Sequence, residues 1–166
     1  MNTATDAPVL SVTGLKTWFH TRDGIAKSVD GVDLEAQPGK VLGVVGESGC
    51  GKSVTALSIM RLIPPPGRIE NGQVLFKGED LLSLSPTEMA KLRGEHISMI
   101  FQDPGSSLNP VVTAGNQIAE MYEIHRQTAA RANQDKAIEM LEKVGIPDPG
   151  QRASAYPHEL SGGMAQ

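Results

Sequence analysis

One loop constrains this chain more than any other feature, because it matches the phosphate-binding pattern G-x-x-x-x-G-K-[ST]. Its sequence is Gly46-Glu47-Ser48-Gly49-Cys50-Gly51-Lys52-Ser53. Residues 41–45 before it are a short, β-branched apolar run, which predicts a strand buried on both faces of a parallel sheet. Residues 54–62 after it contain good helix formers and no breaker. A loop between a buried strand and a helix is the setting that the pattern requires, so the sequence predicts a nucleotide-binding loop.

The residue types of the loop match the chemistry of a phosphate chain. Glycines at 46, 49 and 51 allow positive φ angles, so that successive backbone N–H groups can point into one concavity. The helix that follows adds its free N–H groups and the positive end of its dipole. Lys52 is expected to contact the β- and γ-phosphates, and Ser53 to offer its hydroxyl to Mg²⁺. The other loop residues contribute mainly their backbone: Glu47, Ser48 and Cys50.

Composition places the chain among ordinary globular proteins. Its 166 residues suffice for one domain with a sizeable core, and the net charge of −4 argues against a general nucleic-acid binder. Cys50 is the single cysteine, so no internal disulfide can form. Residues 1–8 lack a signal pattern, and no apolar run approaches the roughly 20 residues of a membrane span. We therefore expect a cytoplasmic protein that reaches a membrane only through partners.

The N-terminal part of the chain is predicted to be mostly β-structure. Residues 9–19 and 26–36 mix β-branched and polar residues and are separated by a break at residues 22–24, which predicts an antiparallel pair. Residues 72–77 predict a further short strand, and residues 96–101 a buried one. The antiparallel pair would give the chain a second, smaller sheet.

Helices are predicted after residue 84. Ser85 is an N-cap candidate, with Pro86 at the first helical position and Glu88 in capping-box register, and this helix should end near Gly94. Two amphipathic helices then follow, one from residue 113 and one over residues 128–144. Two consecutive helices after a strand and a loop indicate a helical subdomain.

The chain ends in Leu160-Ser161-Gly162-Gly163-Met164-Ala165-Gln166. Ser161 is an N-cap candidate, and the two glycines leave backbone N–H groups uncovered at a helix start. These residues alone indicate either an ordinary helix start or a second anion site.

Together, the loop at residues 46–53, Gln102 after a predicted strand and the motif at residues 160–164 resemble the ATP-binding subunit of ABC transporters. The resemblance covers essentially the whole chain. Three further stretches are similar to the dipeptide and oligopeptide (and nickel) import branch: Ile100-Phe101-Gln102-Asp103-Pro104, Ser107-Leu108-Asn109-Pro110 and Tyr156-Pro157-His158-Glu159.

The resemblance implies an α/β fold: a P-loop NTPase (RecA-like) core with an N-terminal antiparallel β region and an inserted α-helical subdomain, incomplete at the C-terminus. Residues 1–102 would hold the β region and the core, and residues 103–166 the helical subdomain. It implies ATP and Mg²⁺ as cofactors and a place at the cytoplasmic face of the inner membrane. The implied partners are a second ATP-binding subunit, transmembrane permease subunits and, indirectly, a peptide-binding protein, with no nucleic acid.

The resemblance also assigns roles to single residues. Phe19 is at the position that stacks on adenine, with Trp18 as the neighbouring candidate, although a strand aromatic can equally be part of the core. Gln102 would contact Mg²⁺ or the attacking water, so Ser53 and Gln102 are the metal candidates. The signature would close over the nucleotide held by the opposite subunit: Leu160, Ser161, Gly162, Gly163 and Met164.

Members of this family continue past the signature to an Asp, a general-base Glu and a His, none of which can be located here. We therefore expect an N-terminal part of a larger ATPase, with no catalytic residue of its own, that binds nucleotide weakly without hydrolysis when isolated. For the whole protein, the resemblance implies a subunit that couples ATP binding and hydrolysis to the import of di- and oligopeptides across the inner membrane. The alternatives are the isolated weak binder just described and a non-transport ATPase of the same superfamily, acting in DNA repair or on ribosomes.

Overall fold

The computed structural model describes residues 7–102, 107–126 and 130–166. Parts of the chain cited above lie outside them: residues 1–6, Asp103, Pro104, and residues 128–129 at the expected start of the second amphipathic helix. The chain divides into two compact units, Met1–Arg93 and Gly94–Gln166. No helix among the described residues is long and apolar enough to span a membrane.

An antiparallel sheet forms most of the first unit. Its strands are β1 (Leu10–Thr21), β2 (Gly24–Ala36), β3 (Gly67–Phe76) and β4 (Glu79–Asp80), and their spatial order is β2-β1-β3-β4. The antiparallel pair predicted from residues 9–19 and 26–36 is confirmed as β1 and β2. The strand predicted from residue 72 begins earlier, because β1 offers β3 hydrogen-bonding partners as far as Phe19, which is opposite Gly67.

The core of this unit joins the sheet to the helix that follows it. Its completely buried apolar residues come from β1, β3, the segment after β4 and the next helix: Val12, Leu15, Val74, Leu81 and Met89. Burying side chains of this size stabilises a fold by about 1.5–3 kcal/mol each.

Two strand predictions are wrong. The structure assigns no strand to residues 41–45 or 96–101; Val41 and Val45 are 98% and 92% exposed, and Ile100 is 84% exposed. A core strand of a parallel sheet needs hydrogen-bonding neighbours and a cover on both faces. No strand among the described residues pairs with either segment. Most of the apolar side chains in these two segments are therefore exposed to solvent, although Ile97 and Met99 are half-buried.

Helix α2 (Pro86–Leu92) begins with the predicted capping box. The Ser85 hydroxyl oxygen accepts a hydrogen bond from the Glu88 backbone N–H at 3.3 Å, and the Glu88 carboxylate accepts from the Ser85 N–H at 2.8 Å. The Ser85 side chain and backbone together lower the pKa of Glu88.

Helix α1 (Lys52–Ile59) ends against an arginine from a distant part of the sequence. Arg93 donates from its Nε to the carbonyl oxygen of Met60 and from a terminal nitrogen to that of Arg61, both at 2.9 Å. A cation at a helix C-terminus satisfies free carbonyls and complements the helix dipole. This contact fixes the C-terminal end of α1, which is the end farther from the loop at residues 46–53.

Replacing Arg93 by methionine keeps the apolar stem and removes both hydrogen bonds. We expect the free energy of unfolding to fall by about 1–3 kcal/mol, since partly buried, charge-assisted hydrogen bonds are lost. Thermal or urea unfolding measures this change, and Arg22→Met in the exposed turn between β1 and β2 is the matched control. Equal stability of the two variants would contradict the anchoring role of Arg93.

The second unit is helical. It contains α3 (Ala114–Arg126), α4 (Ala130–Lys143), α5 (Pro149–Ala153), a 3₁₀ turn (Pro157–Glu159) and α6 (Gly162–Ala165). Small residues let these helices pack closely, since a side chain at Gly115 would collide with Ala153. The buried apolar residues are correspondingly small: Ala114, Ala119, Ala137 and Ala153.

Candidate nucleotide-binding site

Two of the three loop glycines have the positive φ angle that the sequence predicts, whereas the prediction is wrong for Gly46, which lies outside the left-handed region. Gly49 and Gly51 have φ angles of 81° and 96°, and Gly51 is the N-cap of α1. No side chain caps this helix start, and the first turn of α1 contains no acidic residue. The first N–H groups of α1 are therefore free of a side-chain acceptor and of a competing carboxylate, which suits an anionic ligand.

Lys52 folds back over its own loop. Its Nζ donates hydrogen bonds to the carbonyl oxygens of Gly46 and Glu47, each at 2.7 Å, and lies 3.5 Å from the Sγ of Cys50. The ammonium thus holds the loop together and adds a full positive charge at the helix N-terminus. A phosphate at this point would meet a cation as well as backbone donors.

Gly51 connects the loop to the sheet. A Cβ at this position would collide with the backbone carbonyl oxygen of Ser28 in β2 and would also contact Val29. The carbonyl oxygen of Gly51 accepts hydrogen bonds from the Thr55 N–H at 2.8 Å and the Thr55 hydroxyl at 3.0 Å. Only glycine combines the positive φ angle with this close approach.

The remaining loop residues are open to solvent. Ser53 is the second residue of α1 and is exposed, as are Glu47, Ser48 and the free thiol of Cys50. No cluster of three or more His, Cys, Asp or Glu side chains suited to a metal occurs among the described residues. The exposed Ser53 hydroxyl would be available to a magnesium ion at the first turn of α1.

Phe19 is half-buried near the end of β1. A Cβ at Gly67 would collide with the Phe19 ring and with the Ile63 side chain, so the ring packs closely over this glycine. Trp18, the neighbouring candidate, has the Lys27 Nζ 4.5 Å from its ring centroid. Both aromatic rings therefore have protein partners.

Gln102 is exposed and belongs to the second unit. Gln117, a residue that the sequence did not single out, organises the loop at residues 109–112. Its side-chain oxygen accepts from the Asn109 N–H at 2.9 Å, and its Nε2 donates to the carbonyl oxygens of Asn109 and Val112 at 3.0 and 2.8 Å. The Ser-Leu-Asn-Pro stretch is thereby held against the first turns of α3.

The signature residues divide into two groups. Ser161 is the predicted N-cap of α6, and its hydroxyl oxygen accepts a hydrogen bond from the Met164 N–H at 3.3 Å. Ser161, Gly162 and Gly163 are exposed, whereas Leu160 and Met164 line a cavity of about 500 Å³ within the second unit. The small polar face is thus presented to solvent, and the apolar residues face inward.

Comparison with known proteins identifies the family. The model of the ABC transporter family matches residues 29–166. The chain is 49% identical over 159 residues to the probable peptide ABC transporter ATP-binding protein y4tR of Sinorhizobium fredii, covering 95% of this chain and 48% of that protein. It is 48% identical to the dipeptide transport ATP-binding protein DppD of Bacillus subtilis, covering 95% of this chain and 48% of that protein.

A third relative is the oligopeptide transport ATP-binding protein OppD of Bacillus subtilis, at 47% identity over 95% of this chain and 44% of that protein. The chain spans about half the length of the curated relatives it matches.

The fold matches solved cassettes. The chain superposes with a TM-score of 0.82 on the dimeric structure of MJ0796, a bacterial ABC transporter cassette, covering 94% of this chain and 65% of that one. A second structure of MJ0796, a dimeric post-hydrolysis state bound to ADP and Pi, matches with the same score. At 22% identity this likeness shows the fold alone, and it confirms the predicted P-loop NTPase architecture. The chain therefore belongs to the ABC transporter family of ATP-binding proteins, and the relatives that it matches are of the peptide-import type.

Proposed function

We propose that these residues bind Mg-ATP as part of an ATP-binding subunit that drives the import of dipeptides and oligopeptides. The observation that carries the proposal is the start of α1, where uncapped backbone N–H groups and the Lys52 ammonium meet at a loop opened by two glycines in the left-handed region. In the proposal, Lys52 exchanges its hydrogen bonds to Gly46 and Glu47 for the β- and γ-phosphates, and Ser53 supplies one ligand to Mg²⁺.

Residues outside the phosphate-binding loop also contact the nucleotide or the metal in this proposal. Phe19 stacks on the adenine, and Gln102 contacts the metal or the attacking water. The exposed face of the signature, Ser161 to Gly163, closes over the nucleotide of a second ATP-binding subunit. That MJ0796 forms a dimer supports this arrangement. Residues 103–166 form the helical subdomain in this scheme, and the earlier residues form the β region and the core.

In this proposal, ATP hydrolysis belongs to the whole ATP-binding subunit and not to these 166 residues alone. None of the described residues is assigned as the general base, and we expect the 166 residues on their own to bind nucleotide without turning it over. The names of the relatives favour peptides as cargo, carried through transmembrane permease subunits fed by a peptide-binding protein. The subunit would then work at the cytoplasmic face of the inner membrane, held there by the permease.

Affinity capture of the full-length gene product from detergent-solubilised membranes of its own host tests the partners. We expect permease subunits to co-purify, and uptake of labelled di- or tripeptides to fall at least tenfold in a strain that lacks the gene. Nickel uptake in the same strain is the control for the cargo. Co-purification with ribosomes or DNA, together with unchanged peptide uptake, would overturn the proposal in favour of a non-transport ATPase.

A further inference from the structure

Two buried hydroxyl groups join the strand that carries Phe19 to the helix that begins at Lys52. Thr17 in β1 and Ser58 in α1 are both completely buried, and their hydroxyl oxygens lie 2.7 Å apart. The two residues are 41 positions apart in the sequence. No other side-chain hydrogen bond between β1 and α1 is found among the described residues.

The direction of this hydrogen bond follows from a second one. The Ser58 hydroxyl donates to the carbonyl oxygen of Val54 at 2.6 Å, which uses its only proton. Thr17 must therefore donate to Ser58, and a relay runs from β1 through Ser58 to Val54. Val54 follows Ser53 directly, so the relay ends in the first turn of α1, next to the phosphate-binding loop.

The sheet is irregular at Thr17. The register of β1 against β2 shifts between Thr17 and Trp18, and the register against β3 shifts between Lys16 and Thr17. Such irregularities re-aim a side chain at the cost of regular pairing. Here the side chain that is aimed at the helix carries a completely buried hydroxyl, which costs free energy unless it is hydrogen-bonded.

We propose that Thr17 and Ser58 are positioning residues that set the distance between the adenine contact and the phosphate contact. This inference rests on the proposed function, since it takes Phe19 as the adenine contact. Phe19 is two residues beyond Thr17 on the same strand, and Lys52 is six residues before Ser58 on the same helix. An O···O hydrogen bond tolerates a few tenths of an ångström, whereas apolar contacts permit sliding. The pair therefore fixes α1 along its axis relative to β1.

Two ligands distinguish a positioning role from a general effect on stability. Mg-ATP needs both the adenine contact and the phosphate contact, whereas Mg-tripolyphosphate needs only the phosphate-binding loop. In the full-length gene product we expect Thr17→Val to weaken Mg-ATP binding about tenfold, the equivalent of one hydrogen bond, while tripolyphosphate affinity stays within about twofold. Thr17→Ser should restore ATP binding, and Thr13→Val, at an exposed position of the same strand, is the matched control. Calorimetry measures both affinities.

A Phe19→Ala background sharpens the test. Once the adenine contact is gone, Thr17→Val should no longer change the ratio of the two affinities. An equal loss of both affinities in Thr17→Val, or no loss, would overturn the positioning role. Failure of the unmodified protein to bind either ligand would instead contradict the proposed function.

Hydrogen–deuterium exchange tests the positioning role without any nucleotide. The relay ends in the first turn of α1, so Thr17→Val should speed hydrogen–deuterium exchange of the α1 amides about tenfold, and Thr17→Ser should not. Unchanged protection in Thr17→Val would overturn the inference independently of any ligand.

Discussion

Replacing Lys52 by alanine is expected to lower the affinity for Mg-ATP by at least about a hundredfold. The reason is that the Lys52 ammonium is seated at the loop, where its Nζ lies 2.7 Å from the Gly46 and Glu47 carbonyl oxygens. Hydrogen bonds to a charged partner contribute about 1.5–3 kcal/mol each, so losing two phosphate contacts corresponds to roughly this factor. Calorimetric titration of the full-length gene product with Mg-ATP measures it.

Two control variants distinguish the effect of the Lys52 charge from an effect on the structure of the loop. Lys40→Ala removes an exposed lysine shortly before the loop and should leave the affinity unchanged. Lys52→Met keeps the stem but cannot bind phosphate, so it should behave like Lys52→Ala if charge is what matters. Normal ATP affinity in either Lys52 variant would contradict the proposed binding mode.

Local features of the sequence predicted local features of the structure. The break between β1 and β2, the capping box at Ser85 and the N-cap at Ser161 all appear where expected, because each depends on residues within a few positions of one another. The positive φ angles of Gly49 and Gly51 follow from the loop pattern for the same reason. The sheet register, by contrast, required three-dimensional information.

Features that depend on distant partners were not predictable in this way. Residues 41–45 have the composition of a core strand, yet no described strand pairs with them, because pairing is decided by neighbours and not by composition. The contacts of Arg93 with Met60 and Arg61 and of Thr17 with Ser58 join residues 32 to 41 positions apart. No short sequence pattern predicts such pairs. The one local indication is that Thr17 lies between Leu15 and Phe19 on the same face of β1, which places a polar side chain among apolar ones. Helix α5, with five residues, is too short for a periodic signal.

A methyl group at Gly51 should be far more damaging than one at Gly49, although both glycines have φ angles in the left-handed region. At Gly49 an added Cβ meets open space, so Gly49→Ala carries only the conformational cost of about 1–2 kcal/mol. At Gly51 the same cost applies, and the Cβ also collides with the carbonyl oxygen of Ser28, which belongs to β2 and cannot rotate away.

We therefore expect Gly51→Ala to displace the start of α1 from the sheet, to lower the free energy of unfolding by more than about 3 kcal/mol and to remove detectable Mg-ATP binding. Gly39→Ala, at another left-handed glycine with open space around it, reports the conformational cost outside the loop. Urea unfolding and calorimetry of the three variants give the comparison. Equal losses of stability in Gly51→Ala and Gly39→Ala would contradict the close approach to Ser28, because the conformational cost would then account for the whole effect. A larger loss confined to Gly51→Ala would attribute the difference to the contact between the loop and β2, which in the proposed binding mode aims the first N–H groups of α1 at the phosphates.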